Sequence, residues 1–223
     1  MSIPYPEQTK KTIVLLQQLF RELENACKGK LSTNDKTPER LLWEIVNKMF
    51  TILVSCENGL LTKDSLTIHL VARYSYEMLI VFAYIFLDKP KTQEKVDQFI
   101  SFNQFKNTDR MWTDKTYSQM IESIPDKTRF ALHKKHYRNL SNFAHPTMDS
   151  FTLNRRGDKL EFLMNLNTAL LTLDIILEII KICFEEKLYF SDEQKKLINL
   201  VDVSQKKDKL IKNILVALST YSA

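Results

Sequence analysis

The side chains best suited to moving protons are crowded into one short stretch. Three of the four histidines, His133, His136 and His145, fall within thirteen residues, and His69 lies far upstream. Imidazole titrates near neutral pH, so each can act as a general base or acid. Seven positions before His145 stands Arg138, a permanent cation whose planar guanidinium matches phosphate or carboxylate oxygens. Together they would supply proton transfer and charge stabilisation, which is what displacement at phosphorus demands. Other templates fail: the sequence contains no CxxC, HExxH, GxSxG or phosphate-cradling glycine loop. His133-Lys134-Lys135-His136 offers two metal ligands, but its lysines repel a cation and no carboxylate stands beside them. Neither a metal nor a cofactor is therefore expected.

These residues need a helix to gather them. Read as a helical wheel, Lys134, Arg138, Ser141, Asn142 and His145 share one face, and Leu132, His136, Leu140 and Phe143 share the other. Seven residues make two turns, roughly 10 Å along the axis. An ordinary amphipathic helix with a solvated face would give the same pattern. Arg129 and His136 repeat the spacing, but they point with the apolar face, whereas His145-Pro146 sits where the helix must end. A second polar stripe, His69, Arg73 and Glu77, recurs every four residues on an otherwise apolar helix. Such groups need partners when partly buried. They either orient the Arg138–His145 segment or form a self-satisfying Arg73–Glu77 pair between helices. Lys10-Lys11, Lys195-Lys196 and Lys206-Lys207 read as solvated surface, while Lys134, Lys135, Arg155 and Arg156 are the candidates for phosphate contact.

Arg138-Asn139-Leu140-Ser141-Asn142-Phe143-Ala144-His145 resembles the motif of the HEPN superfamily, in which Arg and His are separated by four to six residues near a helix end. A polar residue after the arginine, here Asn139, is frequent there. Ala72-Arg73-Tyr74-Ser75-Tyr76-Glu77, followed by Tyr84-Ile85-Phe86-Leu87-Asp88, resembles a helix in a family of uncharacterised bacterial HEPN-like proteins. In that family a later segment reads like Tyr137 to Pro146. The likeness spans roughly residues 40 to 185. It implies an all-α bundle and a metal-independent endoribonuclease of toxin or phage-defence type. Arg138 and His145 would be catalytic, with Asn139, Ser141, Asn142, Arg73 and Glu77 in support. It also implies RNA as partner, a homodimer that brings two motifs together, and an antitoxin or defence-system protein as possible controller. The alternatives are a non-catalytic HEPN-like module binding RNA, nucleotide or protein, and a purely structural helical partner.

Composition agrees with a helical, globular chain. Only 3 glycines occur in 223 residues, whereas sheets use glycine in hairpins and bulges. Thirteen Phe, eight Tyr and 44% hydrophobic residues exclude a disordered chain. A net charge of +5 permits nucleic-acid binding without requiring it. Cys27, Cys56 and Cys183 are widely spaced and read as reduced thiols in the cytosol. The N-terminus lacks a signal-like apolar core, and the Leu66–Leu87 stretch carries His69, Arg73 and Glu77. It therefore reads as a core helix, and no membrane association is expected.

Apolar periodicity predicts a helix from Glu7 to about Lys28, a second from Thr37-Pro38-Glu39 stopping at Asn58-Gly59, and a third from Thr62-Lys63-Asp64-Ser65 to Asp88-Lys89-Pro90. A fourth covers about 93–104, with less regular chain around 107–114. A helix capped by Asp126 carries the motif to about Ala144, and Asn154-Arg155-Arg156-Gly157-Asp158 makes a turn. A long helix then spans about 159–187, and two shorter segments lie near 192–201 and 207–218. The organisation expected is an N-terminal helix and loop (1–36), an HEPN-like bundle of long antiparallel helices (37–187), and a C-terminal helical segment (188–223) packed on it.

Overall fold

The computed structural model describes residues 6–28, 38–104, 113, 115–125, 130, 137–138, 140, 158–184 and 191–220. Among these the chain is all-α, with no strand. The helices are α1 (Glu7–Lys28), α2 (Pro38–Thr62), α3 (Ser65–Phe86), α4 (Thr92–Gln104), α5 (Tyr117–Glu122), α6 (Asp158–Phe184) and α7 (Asp192–Thr220), with a single 3-10 turn at Lys89–Lys91 before α4. Tyr137, Arg138 and Leu140 are also helical. The predicted caps at Thr37 and Asp126, the 107–114 stretch apart from Thr113, and the Asn154–Gly157 turn lie outside the described residues.

Long antiparallel helices bury one continuous apolar core. It draws on Leu16 and Leu19 of α1, Met49 and Leu53 of α2, Ile80 of α3 and Leu173 of α6. α1 belongs to this core, packing against α2 and α7. α3 and α6 lie against each other at the centre, which explains why α3 is apolar almost all round. Its length and composition would suit a membrane span, yet 67% of that window is buried inside the protein. Cys56 and Cys183 are buried free thiols. Burial pushes Cys56 up to about 12 and Cys183 well above the ordinary thiol value.

Two boundaries depart from the sequence expectation. α2 does not stop at Asn58-Gly59 but runs to Thr62. The left-handed residue that ends it is Lys63, at φ 58°. The Asp64 amide reaches back to the Gly59 carbonyl at 2.9 Å, the closure that normally follows a helix-ending glycine. Gly59 serves a different purpose. A Cβ there would lie 2.8 Å from Cγ1 of Ile68, so the glycine lets α3 approach α2 closely. Asp64 then caps α3, accepting from the Thr67 amide at 3.1 Å and its hydroxyl at 2.6 Å.

The second departure is α7, one helix of 29 residues where two shorter segments were expected. Ser191 and Gln194 open it with reciprocal side-chain-to-backbone bonds of 3.2 and 3.0 Å. The polar Ser204-Gln205 step, which falls between the two expected segments, is buried. Ser204 Oγ meets Thr12 Oγ1 at 2.7 Å and accepts from Gln8 Nε2 at 2.5 Å. Gln8, Thr12 and Ser204 thus satisfy one another across the seam, whereas Gln205 Nε2 is buried without a partner.

Candidate functional site

α3 carries the polar stripe that the sequence singles out, and the structure divides it in two. His69 is in the core, 1% exposed. Its Nδ1 lies 2.8 Å from the Ser65 carbonyl, which can only accept, so Nδ1 bears the proton. Nε2 then accepts from the Thr168 hydroxyl of α6 at 3.2 Å. Ser65 donates to Glu161 at 2.6 Å and accepts from Asn165 Nδ2 at 2.7 Å. Burial lowers the His69 pKa and outweighs the opposing Ser65 hydrogen bond, so the ring is held neutral. His69 therefore ties α3 to α6.

One and two turns further on, Arg73 and Glu77 are half-buried rather than solvated, with side chains 19% and 20% exposed. Arg73 Nε donates to Glu77 Oε1 at 3.0 Å. Burial opposes the Arg73 charge, but the hydrogen bond and charge of Glu77 prevail and raise its pKa. The pair is not self-contained. The Tyr137 hydroxyl approaches the same Oε1 at 3.5 Å, the outer limit of a hydrogen bond, and the Arg73 guanidinium lies 5.6 Å from the Tyr137 ring centre. Tyr117, the first residue of α5, comes from a third direction. Its ring stands 6.1 Å from that of Tyr137. Burial, then the Glu77 charge, push the Tyr117 phenol up to about 12, so it stays a donor at neutral pH.

This cluster ends beside the motif. Tyr137 is half-buried, Arg138 is exposed and Leu140 is buried. Phe130 is buried as well. That alternation is what the wheel predicts for Arg138 and Leu140: one points to solvent and the other into the core. Among the described residues no carboxylate pairs with Arg138. His145, Asn139, Ser141, Asn142, Lys134, Lys135, Arg155, Arg156, Arg129 and His136 lie outside the described residues. The structure thus brings Arg73 and Glu77 to the residue preceding Arg138. Among the described residues no group of three or more His, Cys, Asp or Glu is placed to hold a metal ion.

Tyr117 and Tyr137 escaped the sequence reading. Tyr137 stands within the stretch that carries the family likeness, but its side chain gave no chemical reason to stop there. The signal for Tyr117 is local. Thr116-Tyr117-Ser118-Gln119 has the spacing of a capping box, and Thr116 and Gln119 do exchange bonds of 3.3 and 2.8 Å. That cap starts α5 at Tyr117 and so fixes where its ring emerges. Comparison of the chain with protein-family models, curated proteins and solved structures finds no match.

Proposed function

We propose that the chain is a metal-independent endoribonuclease of toxin or phage-defence type, acting as a homodimer through Arg138 and His145. The observation that carries this reading is the exposure of Arg138 next to an anchored Tyr137 and a buried Leu140. A guanidinium on a secured helix, free of carboxylate partners among the described residues, suits a phosphate better than a structural ion pair. The His145 imidazole takes the proton from a ribose 2′-hydroxyl, and the 2′-oxygen attacks the adjacent phosphorus. Arg138 holds the non-bridging oxygens as charge gathers on them. The bond to the 5′-oxygen breaks, and that oxygen takes a proton from a second imidazolium. One motif offers a single imidazole, so the His145 of a second copy supplies the other. Asn139, Ser141 and Asn142 orient these groups, and Lys134, Lys135, Arg155 and Arg156 hold flanking phosphates. An antitoxin or defence-system protein would keep the activity in check.

The test is to incubate the purified chain with single-stranded RNA in EDTA and to identify the new ends. Cleavage should persist and leave 2′,3′-cyclic phosphate and 5′-hydroxyl termini. Cleavage that disappears with chelator and returns with magnesium defeats the mechanism. RNA bound but never cut would replace the enzyme by a binding module.

A further inference from the structure

Arg73, Glu77 and Tyr84 share one face of α3, at steps of four and seven residues. The Arg73–Glu77 end of that face meets Tyr137, the neighbour of Arg138. The Tyr84 end lies two turns on, roughly 10 Å along the axis, and carries two lysines from outside α3. Lys95 of α4 is buried, and its ammonium stands 3.7 Å from the Tyr84 ring centre. It donates to the Tyr84 carbonyl at 2.7 Å and to Asp88 Oδ2 at 2.9 Å, so its donors and its charge are both answered. Lys115, directly before the N-cap Thr116 of α5, differs. Its Nζ is 5.2 Å from the same ring centre and donates to Ser123 Oγ at 2.8 Å. Ser123 donates in turn to the Gln119 carbonyl at 2.8 Å, which leaves its lone pairs to accept. Both partners of the Lys115 ammonium are therefore neutral. Among the described residues no carboxylate lies within salt-bridge distance of it, and the side chain is half-exposed.

We propose that Lys115 is a phosphate contact for single-stranded RNA, on the same side of the bundle as Arg138. This contact rests on the reading of the chain as RNA-cleaving and adds to it a residue on which that reading is silent. An ammonium has three N–H donors. Ser123 takes one and the Tyr84 ring faces another, which leaves a donor for a phosphate oxygen. A lysine in water loses much rotamer freedom when it grips a ligand. The Lys115 side chain already spans α5, from the residue before its N-cap to its C-cap Ser123, so much of that freedom is lost in the free protein. Two like charges on one ring, with Asp88 answering only Lys95, leave a positive excess that an anion relieves. The two-turn separation along α3 suits a strand whose scissile phosphate sits at Arg138 and whose neighbouring phosphates run on to Lys115.

The probe is a fluorescein-labelled single-stranded RNA of mixed sequence with 2′-O-methyl ribose, which lacks the attacking hydroxyl and so reports binding without cleavage. Anisotropy titrations of the full chain between about 50 and 200 mM salt compare the parent, Lys115→Gln, Ser123→Ala and Lys195→Gln. Each phosphate contact on a single strand contributes about 0.7 to the slope of log affinity against log salt. Lys115→Gln should weaken binding about three- to tenfold at the low-salt end and reduce the slope by about one contact. Ser123→Ala removes the anchor of the ammonium but not its charge, so it should weaken binding less and keep the slope. Lys195→Gln makes the same change in net charge on α7, where Lys195 lies 3.8 Å from Asp192, and should bind like the parent. Equal weakening by Lys195→Gln overturns the proposal, because net charge alone then explains the loss. An unchanged slope in Lys115→Gln overturns it too, since Lys115 then only staples the ends of α5. Cleavage is judged separately, on unmodified RNA. A parent that binds through Lys115 and never cuts loses the nuclease and keeps the contact. A parent that cuts while Lys115→Gln binds unaltered keeps the nuclease and loses the contact, and a parent that binds no RNA ends both.

Discussion

Replacing Arg138 and Leu140 by alanine, two positions apart on one helix, should give opposite results. Leu140 is 4% exposed and belongs to the apolar core. Its truncation removes buried methyl groups and leaves a void, which costs about 2–5 kcal/mol. For a chain of this size each kcal/mol moves Tm by about 2–4 °C, so Leu140→Ala should melt roughly 4–20 °C lower. Arg138 is exposed. Arg138→Ala should stay within about 0.5 kcal/mol of the parent, a shift of roughly 2 °C or less. In a cleavage assay the order reverses at temperatures where both variants are folded. Losing a donor to the developing charge costs about 10²–10³-fold in rate, whereas Leu140→Ala keeps the catalytic groups. Calorimetry and RNA cleavage on both variants make the test. A sharply lowered melting temperature in Arg138→Ala, or none in Leu140→Ala, refutes the assignment of faces. A folded Arg138→Ala that cleaves as fast as the parent refutes the phosphate role. The same pair of assays applies to His145→Ala, expected to behave like Arg138→Ala, and to His136→Ala, expected to behave like Leu140→Ala. The reverse outcome for the two histidines transfers the chemistry to Arg129 and His136.

Other consequences can be checked independently. His69 has a pKa below its unfolded value near 6.5, so the unfolded chain binds the extra proton first; its contribution is complete above about pH 6.5 and is lost as pH falls toward the lowered folded value. Denaturant titrations from pH 7 to pH 5 should therefore show a steeper loss in the parent than in His69→Gln, and parallel curves would contradict the buried neutral imidazole. Gly59→Ala gains helix propensity of about 1 kcal/mol but meets Ile68, and overpacking costs about 1–3 kcal/mol, so its denaturation midpoint should fall. Lys63→Gly should instead raise the midpoint, because a non-glycine residue in the left-handed region costs about 1–2 kcal/mol; a lowered midpoint would show that the Lys63 side chain matters more than its backbone. Light scattering at micromolar concentration should give twice the 26.2 kDa mass of one chain, and a strict monomer that still cleaves RNA removes the composite site.

What the sequence disclosed about the fold was its periodicity. The apolar stripe of α1 and the Pro38 start of α2 are local signals, and the structure keeps both. That His69, Arg73 and Glu77 are at least partly buried was legible for the same reason: three polar groups on an apolar helix cannot all face water. The ends of helices were less legible because glycine has more than one use. Gly59 resembles a stop signal, and nothing within α2 reveals that Ile68 of α3 would press against it. The continuity of α7 past Ser204 was illegible for an equivalent reason, since the partners of Ser204 lie almost the whole chain away, in α1. In the candidate site the wheel found Arg138 and Leu140 on opposite faces. It had no means of finding Tyr117, whose contact with the motif is the packing of its ring on Tyr137, twenty residues further along the chain.

That tie bears on how a short motif can be set on a bundle. Helical spacing alone tells Arg138 which side to face, but an exposed side chain on a helix edge still needs its backbone held. Leu140 secures the helix from below by burial, a force without direction. It fixes depth and leaves the helix free to roll about its apolar stripe. Directional contacts remove that freedom, and in this chain they converge on the carboxylate of Glu77. A polar stripe on the central helix α3 is costly for a core, yet it presents fixed donors and acceptors to an incoming element. Arg73 and Glu77 suit that role because they are charged enough to orient a phenol and buried enough that water does not displace it. The same logic explains the division of labour along α3. His69, two turns before Glu77, directs its polarity to α6 and holds the bundle together, whereas Glu77 turns its own toward the helical turn at Tyr137.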